Sequence, residues 1–167
     1  MVRILTLVSV VLLCVACGQK AEKAEAAPQQ STQQYDLSAA SNQKFLADYA
    51  AKPGALKTQD GLQYRVLKAG TGKAPQSGAD MVTVKYKGWL INGKVFDQTQ
   101  GDATAEFPAG QLIPGWVEAL TLMKEGDHWE IVVPSDLGYG PSGAGADIPP
   151  DQTLVFDMTL VKVTPAQ

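Results

Sequence analysis

The side chains of this sequence that could do chemistry are aromatic rings, hydroxyls and carboxylates rather than thiols and imidazoles. The chain has 167 residues, two cysteines and one histidine. Cys14 and Cys17 both stand in the first apolar run, and His128 is the single imidazole. The rest of the chain therefore holds no cysteine nucleophile, disulfide or cysteine-ligated zinc, and no centre of several histidines. Its chemistry must use carboxylates, hydroxyls, backbone amides or a shaped apolar cavity.

Several of these side chains stand where filling a core alone does not require them. They lie at a strand end, in a hairpin, at a helix start and in a loop rich in glycine and proline: Tyr86, Phe96, Asp97, Trp116, Tyr139 and Ile148. Apolar rings with a few polar groups among them are typical of a binding cavity. The helices and strands that carry these residues decide whether they meet.

Alternating apolar residues predict most of the strands. The pattern is clear over residues 62–67, 82–90, 95–97, 129–133 and 154–160. Asn92-Gly93 between the second and third runs is a strong hairpin signal. A short helix is predicted between Pro114 and Gly126, where apolar residues recur at helical spacing. The sequence thus predicts an α+β domain, a twisted antiparallel sheet with one short helix against it.

The first residues have the features of an export signal sequence. Arg3 precedes an apolar stretch, residues 4–17, which is too short to cross a bilayer. Ala16-Cys17-Gly18 resembles a bacterial lipobox, although Cys14 stands where that pattern prefers Leu. We expect a lipoprotein signal over residues 1–16 and lipidation of Cys17, with the protein held on the periplasmic face of the outer membrane. Plain signal-peptidase cleavage, which gives a soluble periplasmic product, is the alternative.

Between the signal sequence and the domain, residues 17–35 are predicted to form a flexible polar tether. Residues 36–54 are predicted to hold a short helix with Phe45, Leu46 and Tyr49 on one face, stopped by Pro53-Gly54. Such a helix either packs beside the next domain or serves dimerisation or docking.

The sequence argues against two further functions, dinucleotide binding and nucleic-acid binding. Residues 138–143 spell the dinucleotide fingerprint G-x-G-x-x-G, but the Gly- and Pro-rich residues 144–150 that follow cannot form the helix that the fingerprint needs. With 14 basic and 17 acidic residues, the chain has no basic surplus for nucleic acid. We expect neither ligand.

Five blocks in order resemble the FK506-binding-protein (FKBP) family of prolyl isomerases. They cover residues 61–163 and are the runs 84–88, 92–97, 112–116, 139–140 with 148–150, and 154–157. Residues 45–64 also resemble the exported macrophage-infectivity-potentiator branch. That branch uses a long helical region to dimerise, whereas this chain has room for a short helix only, so we expect a monomer. The resemblance implies an FKBP-like fold over residues 61–164.

The family resemblance also implies a site. The catalytic groups would be Asp97, the Tyr139 hydroxyl and the Ile113 N–H. The substrate-binding walls and floor would be Tyr86, Phe96, Phe107, Leu112, Trp116, Ile148 and Phe156. No metal or cofactor is needed, and FK506- and rapamycin-type macrolides are implied ligands. Ala105 departs from the family, which often has an aromatic residue two positions before Phe107.

The implied activity is cis-trans isomerisation of X-Pro bonds in exported proteins, which would assist folding in the cell envelope. Rotation about a peptide bond needs no nucleophile, so the shortage of thiols and imidazoles is compatible with it. Two other functions stay open at this point. One is a binding module or holdase that grips apolar peptides in the same groove, and the other is a structural envelope lipoprotein.

Overall fold

The computed structural model describes residues 35–167. The predicted signal segment, Cys17 and the tether up to residue 34 lie outside the described residues. In chain order the described elements are α1 (Ala39–Ala50), β1 (Leu56–Lys57), β2 (Gln63–Lys68), β3 (Met81–Leu90), β4 (Val95–Gln98), β5 (Ala105–Pro108), α2 (Pro114–Leu122), β6 (His128–Val133) and β7 (Leu154–Thr164).

The strands form one antiparallel sheet in the order β1-β2-β6-β7-β3-β4, with β5 also paired to β3. Strand β3 changes partner along its length, because residues 81–84 pair with β5 and residues 87–89 pair with β4. Tyr86 lies between the two pairings, and its N–H and carbonyl both bond Thr99. Tyr86 therefore lies where the two strands that pair with this edge of β3, β4 and β5, separate.

Helix α2 packs on one face of this sheet and closes the main core. Trp116 and Leu120 of α2 are at most 5% exposed and share an apolar cluster with Phe156 of β7. Gly115 permits the close approach, since a Cβ there would lie 2.6 Å from Cγ1 of Val133. The predicted α+β fold, a twisted antiparallel sheet wrapped around one short helix, is confirmed.

Helix α1 packs on the opposite face. Ser38 caps its first turn by accepting a hydrogen bond from the Ser41 N–H. Tyr49 is 1% exposed and packs against Val132 and Val155, which alternate along β6 and β7 with the residues of the main core. The short N-terminal helix thus exists as predicted, and its apolar face lies on the sheet of its own chain.

Some boundaries differ from the sequence prediction. Strands β1 and β5 have two and four residues, too few for alternation to reveal them. Helix α2 ends at Leu122 rather than near Gly126, because Met123 is extended and the Asp127 carboxylate accepts a bond from the Lys124 N–H at 2.6 Å. Within residues 35–167, no helix combines the length and the apolar character needed to cross a membrane.

Candidate functional site

The indole of Trp116 is the floor of an aromatic cluster on the inner face of the sheet. Pro114 stands in the first turn of α2, where its missing N–H costs no helical hydrogen bond. The rings of Tyr86, Phe156 and Phe107 meet the indole edge to face, with centroids 5.1, 5.2 and 6.3 Å away. Edge-to-face contacts are a favoured geometry for aromatic pairs, so these four rings support one another as a cup.

A glycine lets the far wall of the cup form. The rings of Phe96 and Phe156 also meet edge to face, with centroids 5.5 Å apart. A Cβ on Gly88 would lie 2.7 Å from Phe96 and 2.8 Å from Phe156, so only glycine leaves both rings where they are. No role for Gly88 was predicted. The signal for it was a glycine inside a strand, which often marks a close approach.

Three aliphatic residues continue the wall. Leu112 and Ile113 lie immediately before α2 and pack half-buried on the main core, and Ile148 is 6% exposed. Ile148 is held there by two backbone hydrogen bonds with Ala144, of 2.8 and 3.1 Å. Ala105 lies on β5 opposite Val84 and is half-buried, so a methyl group stands two positions before Phe107.

A carboxylate and two phenols form the rim. The Tyr86 hydroxyl donates a hydrogen bond of 2.5 Å to Oδ2 of Asp97, which is exposed. Burial and then the Asp97 carboxylate raise the pKa of Tyr86. Burial followed by the charge of Asp97 also raises the pKa of Tyr139, whose side chain is 41% exposed. Both phenols therefore remain protonated hydrogen-bond donors at neutral pH.

Two N–H groups near the floor have no partner. Within the described residues, the Ile113 N–H donates no hydrogen bond, although the Ile113 carbonyl accepts from the N–H groups of Trp116 and Val117. The buried Trp116 Nε1 likewise lacks an acceptor in this part of the chain. The Ile113 N–H belongs to a half-buried residue and is the donor available to a carbonyl oxygen of a ligand, whereas the unpaired Trp116 Nε1 is fully buried and costs stability.

The predicted site residues fall into two groups. Eight of them lie in or against the main apolar cluster: Tyr86, Phe96, Phe107, Leu112, Ile113, Trp116, Ile148 and Phe156. Asp97 joins them through its hydrogen bond to Tyr86. Within the described residues Tyr139 makes no side-chain hydrogen bond or ring contact with the other site residues, and its pKa is raised by burial first and by the charge of Asp97 second.

The G-x-G-x-x-G segment takes the form expected of a loop. A short 3-10 turn at Ser135–Leu137 precedes it, a second one at Gly140–Ser142 lies within it, and Gly143 has a φ of +60°. No α-helix begins there, so the arrangement that holds a pyrophosphate is missing from this described segment.

Comparison with known proteins decides the family. A family model described as FKBP-type peptidyl-prolyl cis-trans isomerase matches residues 72–161, which include every predicted catalytic and substrate-binding residue. The chain belongs to the FKBP family. A second model, described as the domain amino terminal to FKBP-type isomerases, matches residues 14–66. The resemblance drawn from the five sequence blocks is therefore confirmed.

Two individual relatives support the assignment to the FKBP family. The chain is 47% identical over 133 residues to the FKBP-type 22 kDa peptidyl-prolyl cis-trans isomerase of Escherichia coli, covering 78% of this chain and 64% of that one. It is 47% identical over 123 residues to the outer membrane protein MIP of Legionella longbeachae, covering 73% and 52%. The chain thus spans about half to two thirds of the length of these two relatives.

A solved FKBP-family structure has the same fold. The crystal structure of a peptidyl-prolyl cis-trans isomerase from Pseudomonas syringae superposes with a TM-score of 0.71 at 38% identity. The superposition covers 75% of this chain and 92% of that one. The sheet that wraps α2 is thus shared with this relative.

Proposed function

We propose that this FKBP-family chain catalyses cis-trans rotation about X-Pro bonds of exported proteins and so assists their folding in the cell envelope. The observation that carries the proposal is the ring cup on Trp116, with a free backbone N–H at Ile113 and the Asp97–Tyr86 pair at its rim. The names of the relatives support the same activity.

An apolar cup suits this reaction for a physical reason. Rotation about a peptide bond must break amide resonance, which is a barrier of about 18–20 kcal/mol. The twisted amide has lost much of the charge separation between nitrogen and oxygen. A low-polarity cavity therefore disfavours the twisted state less than the planar ground state, and this difference lowers the barrier. The proline ring would pack on the indole of Trp116.

The polar groups would hold the flanking peptide. The Ile113 N–H would donate to the substrate carbonyl, and the Tyr139 hydroxyl would donate to a second peptide group. Asp97 accepts a hydrogen bond from the Tyr86 hydroxyl and thereby orients this hydroxyl at the rim. Fixed donors of this kind resist rotation of the whole peptide, so that the twist is confined to the X-Pro bond.

Exchange NMR on a short X-Pro peptide tests the activity. We expect catalytic amounts of the chain to accelerate exchange, and Tyr86→Phe to lower kcat/KM several-fold. The matched control is Tyr35→Phe, because the Tyr35 hydroxyl also donates a 2.5 Å bond to a carboxylate, that of Asp48 on α1. Failure of micromolar chain to accelerate exchange would refute the proposal, as would equal effects of the two variants.

Macrolide binding is part of the proposal. FK506- and rapamycin-type ligands would occupy the cup and quench or shift the fluorescence of Trp116. The chain has three tryptophans, so the titration is repeated with Trp116→Phe. A fluorescence change in the wild type that is lost in the variant is expected. Absence of any binding would instead favour a structural lipoprotein without a groove function.

A holdase is the second candidate, and Ala105 is the observation that favours it. Ala105 places only a methyl group two positions before Phe107, so the groove is wider on this side. A wider groove would accommodate apolar segments of varied sequence. This candidate predicts suppression of client aggregation that survives Asp97→Asn, whereas isomerase activity falls. Loss of both activities together would contradict it.

We further propose export and lipid anchoring through Cys17, on the periplasmic face of the outer membrane. The lipobox-like run and the name of the Legionella relative support this location. Mass spectrometry of the mature N-terminus should find a diacylglyceryl cysteine. Cys17→Ser should abolish it and Cys14→Leu should retain it. An unmodified Cys17, or another start, would refute the anchor.

A monomeric state is proposed as well. The apolar face of α1 is covered by its own sheet, where Tyr49 is 1% exposed, which removes the surface that a dimerisation helix would use. Light scattering of the purified chain at increasing concentration should give the monomer mass throughout.

A further inference from the structure

A buried amide link joins α1 to the loop that carries part of the site. The loop comprises residues 138–151 and is called the pocket loop below. The link consists of Asn42 on α1 and of Gln152 and Thr153, which follow the loop directly. These three residues are 6%, 6% and 2% exposed, and they are 110 and 111 positions apart in the chain.

The side-chain oxygen and nitrogen of both amides are bonded in the link. Asn42 Oδ1 accepts from the Thr153 N–H at 2.7 Å, and Asn42 Nδ2 donates to Gln152 Oε1 at 3.2 Å and to the Ser38 carbonyl. Gln152 Nε2 donates to the carbonyls of Pro150 and Leu37. A buried network that is fully bonded admits one arrangement, because any shift leaves a polar atom unpaired.

The pocket loop depends on this link for the position of its end. The Asp151 N–H donates to the Gly140 carbonyl at 2.9 Å, which ties the end of the loop to its start beside Tyr139. Asp151 lies in a turn with a φ of +59°, in the left-handed region that Asp tolerates better than most non-glycine residues. The Gly140 bond flanks this turn on one side and the Asn42–Gln152 bonds flank it on the other.

The other side-chain interaction of the pocket loop in the described residues is a surface ion pair, which is weaker than the buried link. Lys94 and Asp147 form an ion pair of 2.9 Å with side chains 49% and 65% exposed, where water and salt screen the attraction. Core packing and the backbone bonds to Ala144 hold Ile148 within the loop, and the buried link joins the end of the loop to α1.

We propose that Asn42 and Gln152 are positioning residues that hold Ile148 and Tyr139 at the bound peptide, so that the N-terminal helix completes the prolyl isomerase site. The inference rests on the proposed function. It connects the two segments that the family models match separately, because Asn42 lies within residues 14–66 and Gln152 lies within residues 72–161.

The experiment uses the full chain with Asn42→Ala, Gln152→Ala, the double variant and Tyr49→Phe. Tyr49→Phe is the matched control, because it removes another hydrogen bond of the same helix, from the Tyr49 hydroxyl to the Glu130 carbonyl, without touching the loop. The readouts are kcat and KM by exchange NMR and the hydrogen exchange of the Asp151 N–H.

Both single variants should raise KM about tenfold with kcat within twofold, because a displaced wall weakens binding of ground and transition states alike. The double variant should be no worse than either single one, since all remove the same link. Asp151 should exchange faster in these variants and should be unchanged in Tyr49→Phe.

The positioning proposal is overturned if Asn42→Ala matches Tyr49→Phe in both KM and Asp151 exchange, or if the single effects on KM add in the double variant. Should an alanine variant not fold, Gln152→Met retains the side-chain volume and carries the same test. A wild-type chain without isomerase activity overturns the proposed function instead, and Asp151 exchange still reports on the link in that case.

Discussion

The two faces of the sheet carry apolar clusters built from neighbouring residues of the same strands. On β7, Phe156 turns inward to the indole of Trp116, whereas Val155 turns outward to Tyr49. The outer cluster is covered by a helix and is complete. The inner cluster presents ring edges, unpaired N–H groups and a carboxylate at its rim. The outer cluster is closed by the chain itself, whereas the inner one leaves polar groups and ring edges that fit the peptide-binding role proposed above.

The largest expected contrast is between Trp116→Leu and Val155→Ala. The inner variant should lower kcat/KM at least tenfold, or about 1.4 kcal/mol in transition-state stabilisation, because it removes the floor. The outer variant should lower the free energy of unfolding by roughly 1.5 kcal/mol, at about 0.8 kcal/mol per buried methyl, and leave kcat/KM within twofold. Urea unfolding and exchange NMR measure both. Equal effects on kcat/KM would remove the distinction between the faces.

Gly88→Ala tests the inner face by overpacking. Its Cβ would lie 2.7 Å from Phe96 and 2.8 Å from Phe156, so the rings must move, at a cost of about 1–3 kcal/mol in stability. We expect kcat/KM to fall as well. Gly93→Ala is the control, because it has open space but a φ of +87°. It should lose about 1 kcal/mol by backbone strain alone and keep its kcat/KM.

Alkaline pH should affect a tyrosine on each face. Burial is the first cause that raises the pKa of both Tyr86 and Tyr49 above the unfolded value of about 10. Each contribution to stability is complete below pH 10 and is lost as pH rises toward the folded pKa, since the unfolded chain then releases its proton first. Unfolding by urea at pH 8 to 11 should show this decline. Tyr86→Phe and Tyr49→Phe should each make it shallower, and an unchanged slope would contradict the assignment.

The smallest effects should come from surface ion pairs. Lys94→Met removes the pair with Asp147 at the inner rim, and Lys44→Met removes the pair with Asp48 on α1. Loss of the rim pair should lower the free energy of unfolding by about 0.2–1 kcal/mol, loss of the α1 pair should have no larger effect, and 1 M salt should abolish both differences from wild type. A loss above this range at the rim would show that the pocket loop relies on the ion pair as well as on Asn42.

Sequence patterns were most reliable where a single local signal decides the structure. Asn92-Gly93 forms the hairpin between β3 and β4, and the alternation over residues 154–160 continues as β7. They failed where a segment is short or where contacts from elsewhere decide. Strand β5 contains Pro108 and only four residues, and it exists because β3 offers it an edge. The role of Gly88 became visible only with both rings in place.

Composition and local patterns establish which groups are available, which strands have two different faces, and the order of blocks that identifies the family. Which partner covers each face depends on long-range packing. Hydrophobic burial has no direction, so the apolar side of α1 could meet its own sheet or another surface equally well by pattern. The packing of Tyr49 and the bond between Asn42 and Thr153 settle that choice, because they join residues about a hundred positions apart that no local pattern can pair.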